Sequence, residues 1–141
     1  MEDTNLAIIA HRQSIAYAMA GEKAKWLALF DENAVVHDPV GPSPHDPEGK
    51  GFRGKAELER FWDMMIAPQD IIAIPHKKIG SGPNTAAVVM TMANNLNGAK
   101  LYIEMVAVYV VNNVGKLRSL HVYWDCNQLA EQMAAYANAG P

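Results

Sequence analysis

Apolar positions change their spacing halfway along this chain. Up to residue 66 they recur every three or four residues, and from residue 71 onward they alternate or run together in segments of strand length. The first half therefore predicts helices. Thr4 or Asp3 can cap a first one whose main stripe is Leu6, Ile9, Ala10, Gln13, Ala16, Tyr17 and Ala20. Ile8, Ile15 and Met19 add a second apolar edge, and Gly21 ends the helix. A second helix turns Trp26, Leu29 and Phe30 inward until Asp31-Glu-Asn33 breaks it before a strand at Val35–Val40. A third runs from Lys55 to Ile66 on the stripe Leu58, Phe61, Trp62, Met65 and Ile66.

The second half predicts four strands: Ile71–Ile79, Ala86–Leu96, Leu101–Val111 and Leu117–Trp124. Asn94-Asn-Leu-Asn-Gly98 and Asn112-Asn-Val-Gly115 supply hairpin turns, so the last three strands pair antiparallel. Helices followed by a meander predict an α+β domain, with the helices packed on one face of a curved, mostly antiparallel sheet. Leu101–Val111 is apolar at nearly every position, so one face can fill the core while the other is covered by a second copy of the chain. Residues 41–54 hold three prolines and four glycines in fourteen positions and read as a loop at the rim. Asn127–Asn138 reads as a closing helix using Leu129, Met133 and Tyr136, placed either over a cavity mouth or along a dimer contact.

Composition narrows the function. A chain of 141 residues, half of them hydrophobic, is expected to fold as one domain spanning 1–141. Net charge is −3 with no basic cluster, which argues against nucleic acid. One cysteine, Cys126, excludes an internal disulfide framework and fits a reducing, cytoplasmic setting. The polar, acidic start Met1-Glu-Asp-Thr-Asn5 is unlike a signal peptide, and no apolar stretch reaches membrane-spanning length.

Ala34-Val-Val-His-Asp-Pro-Val-Gly41 is the most informative segment. Strand alternation puts Val36, Asp38 and Val40 on one face and Val35 and His37 on the other. If the first face is the inner one, Asp38 loses hydration, its pKa rises, and it becomes a proton shuttle near neutral pH. Alternatively Asp-Pro starts a turn, and backbone N–H groups satisfy the carboxylate.

Longer runs carry a resemblance. Ala20-Gly-Glu22 with Trp26-Leu-Ala-Leu-Phe-Asp-Glu-Asn-Ala-Val-Val-His-Asp-Pro-Val-Gly41, then Gly51-Phe-Arg-Gly-Lys-Ala-Glu-Leu-Glu-Arg-Phe-Trp62, resembles the ketosteroid isomerases and, more broadly, the SnoaL-like superfamily. Gly115-Lys-Leu-Arg-Ser-Leu-His-Val-Tyr-Trp124 is similar to the family's last strand. The resemblance implies a cone-shaped α+β fold, a sheet-mediated homodimer, a small hydrophobic ligand such as a steroid, and no cofactor or metal. It also implies an aspartate base and an oxyanion hole of one tyrosine and one protonated aspartic acid. Carried over, Asp38 falls on the base, and Phe30, Trp62 and Trp124 fall on the ligand walls. The tyrosine position falls on Ser14, with Tyr17 one turn further as a substitute donor. The aspartic acid position falls on Ala107, which cannot donate, and Glu104 alternates to the opposite face.

Other chemistry is less well supported. His11, His37, His45, His76 and His121 have no metal-ligand spacing, and His37 alternates away from Asp38. An epoxide hydrolase on this scaffold would need an Asp–Arg–Asp set in the cavity, whereas Arg12, Arg53, Arg60 and Arg118 fall at exposed positions. Gly49-Lys-Gly51 lacks the frame of a phosphate loop. The expectation is an isomerase that moves a double bond beside a ketone. A ligand-binding protein without turnover and a polyketide cyclase or dehydratase are the alternatives.

Overall fold

In a computed structural model, which describes residues 4–96 and 98–139, Asn5 caps the first helix. Asp3, one of the two expected caps, lies outside the described residues, as does Asn97 in the first hairpin turn. The Asn5 side-chain oxygen accepts from the Ile8 amide at 2.8 Å, and its amide group donates to the carbonyls of Gly82 (2.8 Å) and Thr85 (3.0 Å). One buried residue thus starts α1 (Leu6–Ala20) and ties it to a strand turn.

The buried residues of α1 are Ala7, Ile8, Ala10, His11 and Ser14, with Ala18 half-buried, so Ile8 of the expected second edge does turn inward. Of the stripe expected from the sequence, only Ala10 is buried. The correction has a simple cause: α1 is apolar nearly all round, so periodicity cannot choose its phase. Packing selects the side with the smallest residues, which lets the helix approach the sheet closely. The two polar residues on that side are satisfied, His11 by the Tyr109 hydroxyl and Ser14 by the His11 carbonyl, each at 2.9 Å.

After α2 (Lys23–Leu27), Phe30 opens β1 (Phe30–His37) instead of ending the helix. The Lys55 ammonium holds this junction by donating to the carbonyls of Leu27 (2.5 Å) and Phe30 (2.7 Å). Within the expected loop, Phe52–Arg53 forms a short strand, β2. The third helix, α3 (Gly54–Phe61), continues as a π-helical turn at Trp62–Ile66. Then follow β3 (Asp70–Ser81), β4 (Thr85–Leu96), β5 (Ala99–Val111), β6 (Leu117–Tyr123) and α4 (Cys126–Ala139).

The strand order is β2-β1-β6-β5-β4-β3, with β1 parallel to β6 and every other pair antiparallel. The fold is thus α+β with a mixed, mostly antiparallel sheet, as expected. Along β5 the inner residues from Ala99 to Val111 are buried, while Lys100, Tyr102, Glu104 and Val106 face outward. β6 covers β5 only from Val106 to Val111. Beyond its end α4 takes over, and Gln132 bonds the Tyr102 amide (2.8 Å) and carbonyl (2.7 Å) as a neighbouring strand would. No described helix is long and apolar enough to cross a membrane.

Candidate active site

β1 carries Val36 into the core and ends at His37; Asp38 follows and lines an interior cavity. The expected alternation fails one step later, because the strand has ended: Pro39 is buried, Val40 is exposed, and the Val40 amide donates to the Val122 carbonyl at 2.8 Å. Asp38 receives its hydrogen bond from the Trp124 indole N–H, at 2.5 Å, and not from the backbone amides of a turn.

The cavity has a volume of about 150 Å³ and opens to solvent at its mouth. α1 contributes Ser14, Ile15, Ala18 and Met19, and the π-turn and the residues after it contribute Met65, Ile66 and Gln69. The inner sheet face supplies Met90, Met92, Ile103, Met105, Tyr109, Leu120 and Val122, and Leu129 of α4 closes one side. Five methionines around the cavity, Met19, Met65, Met90, Met92 and Met105, suit ligands of irregular outline, because a thioether chain repacks easily. Among the described lining residues Asp38 is the only charged one. No group of three metal-ligating side chains occurs among the described residues.

Apolar surroundings disfavour a charge, and burial pushes the Asp38 carboxyl up to about 6, with the Trp124 hydrogen bond pulling the other way. Burial also pushes the Tyr109 phenol well above its ordinary value, opposed by a hydrogen bond with Ser14 and reinforced by the charge of Asp38. Tyr109 therefore keeps its proton across the physiological range. Its hydroxyl lies 2.9 Å from His11 Nδ1, and the two rings meet edge-on at 67° with centroids 5.0 Å apart. Away from this cluster, Gln69 and Asn94 bring polar groups to the wall. Gln69 donates to the Met65 carbonyl at 2.7 Å, and the Asn94 side-chain oxygen is buried without a partner.

Of the residues singled out from the sequence, Asp38, Ser14 and Trp124 meet at this cavity. Phe30 and Trp62 are buried one layer behind the wall, packed on Trp26 with centroids 4.6 and 5.4 Å away. Ala107 is fully buried on the same strand face as Met105 and Tyr109 but does not line the cavity. Tyr17 is half-buried off the cavity, with the Lys25 ammonium 5.9 Å from its ring centroid, so its expected donor role is not supported by its position. Glu104 is exposed, and Arg12, Arg53, Arg60 and Arg118 are all exposed. His37 points away from Asp38 and stacks on His121, with centroids 4.9 Å apart. Gly51, at φ +77, makes room for it: a Cβ there would sit 2.7 Å from the imidazole.

Tyr109 was not among the candidates, and His11 was weighed with the other histidines and set aside. Tyr109 carried a usable signal: it is two residues from Ala107 and so on the same strand face. A comparison made position by position looks only at Ala107 and passes over its neighbour.

The profile of the SnoaL-like domain matches residues 11–120. The chain belongs to this family. No curated protein matches it. Among solved structures, this SnoaL-like chain is similar to RV0760c from Mycobacterium tuberculosis, with 27% identity and a TM-score of 0.85 over 89% of this chain and 95% of that one. RV0760c has also been solved in complex with estradiol-17beta-hemisuccinate. A Delta 5-3-ketosteroid isomerase from Mycobacterium sp. is 28% identical, with a TM-score of 0.83 over 88% of this chain and 96% of that one. An LEH-like epoxide hydrolase from M. tuberculosis, 16% identical with a TM-score of 0.74 over 98% of this chain and 99% of that one, shows a shared fold only. SnoaL-like and ketosteroid isomerase-like architecture is thus common ground, and the chemistry has to be argued from the site.

Proposed function

We propose that this protein is a cofactor-independent isomerase that moves a double bond beside the ketone of a polycyclic, steroid-like ligand, with Asp38 as the proton carrier. One observation carries the reading: an ionisable carboxylate, the single charged group among the described lining residues, stands in a largely apolar cavity, held by an indole N–H, with its pKa raised to about 6. At neutral pH such a group is mostly ionised and basic enough to take a proton made acidic by a neighbouring ketone. Carboxylate Asp38 removes that proton, the electron pair moves onto the ketone oxygen, and the carboxylic acid returns the proton two carbons along the conjugated system. Nothing is oxidised or reduced. Trp124 steadies the carboxylate and walls the ligand, and the methionine-lined surface excludes water.

The similarity to a ketosteroid isomerase and to a protein solved with an estradiol ester supports this ligand class. The wall contains no arginine and no second carboxylate among the described residues, which disfavours epoxide hydrolysis. Ser14 and Ala107, standing where the resemblance expects a tyrosine and an acid, favour as second reading a binder without turnover. The assay is 5-androstene-3,17-dione with wild type and Asp38→Asn, followed by conjugated enone absorbance. The expected result is turnover in wild type and a loss of several orders of magnitude in the variant. Equal rates would remove Asp38 as base, and saturable binding with no turnover in either would select the second reading.

We also infer a homodimer through the sheet. One outward row runs Ile79, Ala87, Val108, His121 across β3 to β6, and the next includes Val89 and Val106. Ile79, Val89 and Val106 are exposed, so this apolar face is available for a second copy.

A further inference from the structure

An isomerase of this kind needs a hydrogen-bond donor at the ketone oxygen, because negative charge develops there once the proton leaves. The positions that the resemblance gives to that task hold Ser14 and Ala107. We propose that the Tyr109 hydroxyl, positioned by His11 and Ser14, is the donor to the ketone oxygen of the bound ligand. The inference rests on the reading of Asp38 as base and names the partner that this base requires.

Four observations carry it. Tyr109 lines the same cavity as Asp38, and its hydroxyl is close enough to feel the Asp38 charge. Sheet register places them near one another across the inner face: Val36 and Tyr109 both pair with Leu120, from opposite sides, and Asp38 follows Val36 by two residues. Two strand spacings, roughly 10 Å, separate their strands. That span accommodates two converging side chains with one ligand ring between them.

The third observation is the pair of polar partners, His11 and Ser14, at the Tyr109 hydroxyl. Ser14 gives its proton to the His11 carbonyl at 2.9 Å, and its hydroxyl also lies beside Tyr109. In the proposed arrangement His11 carries its proton on Nδ1 and donates to the Tyr109 oxygen 2.9 Å away, which leaves the Tyr109 proton for a ligand oxygen. A phenol that already receives a hydrogen bond is a stronger donor, since hydrogen-bonded chains polarise one another. The fourth is burial. Tyr109 and His11 are both almost fully enclosed, so they are preorganised and water does not compete.

The probe is testosterone, whose single carbonyl is a conjugated ketone, bound to wild type and Tyr109→Phe and read by infrared difference spectroscopy. The expected result is a lower carbonyl stretching frequency in wild type than in Y109F. In turnover of 5-androstene-3,17-dione, kcat should fall by about 10²–10³-fold in Y109F with KM little changed. An equal carbonyl frequency in the two proteins overturns the donor. Saturable testosterone binding absent from wild type overturns donor and ligand class together. A frequency shift that disappears in Y109F while Asp38→Asn leaves turnover intact supports the donor and rejects the base, so the two assignments fail separately. Should Y109F not fold, His11 carries the test. His11→Asn, which keeps a donor near Nδ1, should hold the wild-type frequency, and His11→Ala should move it upward; no movement in His11→Ala overturns the positioning role.

Discussion

In the proposed isomerase, two side chains, Asp38 and Trp124, set the working pH of the site. The indole N–H stabilises the ionised carboxylate against the burial that disfavours it. Trp124→Phe keeps a flat wall but removes that bond, so the Asp38 pKa should rise and the acid limb of the kcat/KM profile should move to higher pH. A limb that stays put or moves down would contradict the arrangement. The same carboxylate burdens the fold. Unfolded, Asp38 releases its proton near the ordinary 3.8, whereas in the folded protein it does so near 6. Its contribution to stability is therefore full below about pH 4 and is lost as pH rises through 6, a difference of about 3 kcal/mol at most. Asp38→Asn should unfold at higher urea than wild type at pH 7, with the gap closing toward pH 4. Asp38 and Trp124 were legible in the sequence through the resemblance. Tyr109 was legible only as the same-face neighbour of Ala107, and its pairing with His11 was not legible, because it joins residues 98 apart across a helix–strand contact that no local pattern records.

At the scale of elements, α1 presents Ser14, and its placement depends on Asn5. That residue caps the helix and bonds two carbonyls in and after the β3–β4 turn. Asn5→Ala removes the cap and leaves partly buried carbonyls unpaired, a loss of about 2 kcal/mol expected in chemical denaturation. A loss below a few tenths would mean that packing alone holds the helix. The identities of α1, α3 and the four long strands were readable because their periods differ. The phase of α1 was not readable, since a helix apolar on most sides gives periodicity nothing to select, and the deciding factor is the close approach of Ala7 and Ala10 to the sheet. β2 escaped notice for a related reason: two residues, Phe52 and Arg53, are too few to alternate, and only the edge of β1 gives them a strand partner.

For the whole molecule, the sheet divides an inner face that forms the site from an outer face that remains open. Both faces of β5 are apolar over Val106–Val111, and a single chain buries only one of them fully. Val106→Glu should convert the inferred dimer to a monomer on light scattering while the cavity residues stay in place. A wild-type protein that is already monomeric at micromolar concentration would contradict the inferred contact. The overall architecture was largely legible from the switch in period and the two Asn-rich turns, since antiparallel meanders follow from short connections. The parallel β1–β6 pairing was not, because it joins segments about 80 residues apart and is set by how the helices wrap the sheet.

The most direct test of the account compares the initial rate of enone formation from 5-androstene-3,17-dione in wild type and Asp38→Asn at pH 7. The account predicts measurable isomerisation in wild type, with an acid limb near pH 6, and near-complete loss in the variant. Equal rates in the two proteins would contradict it.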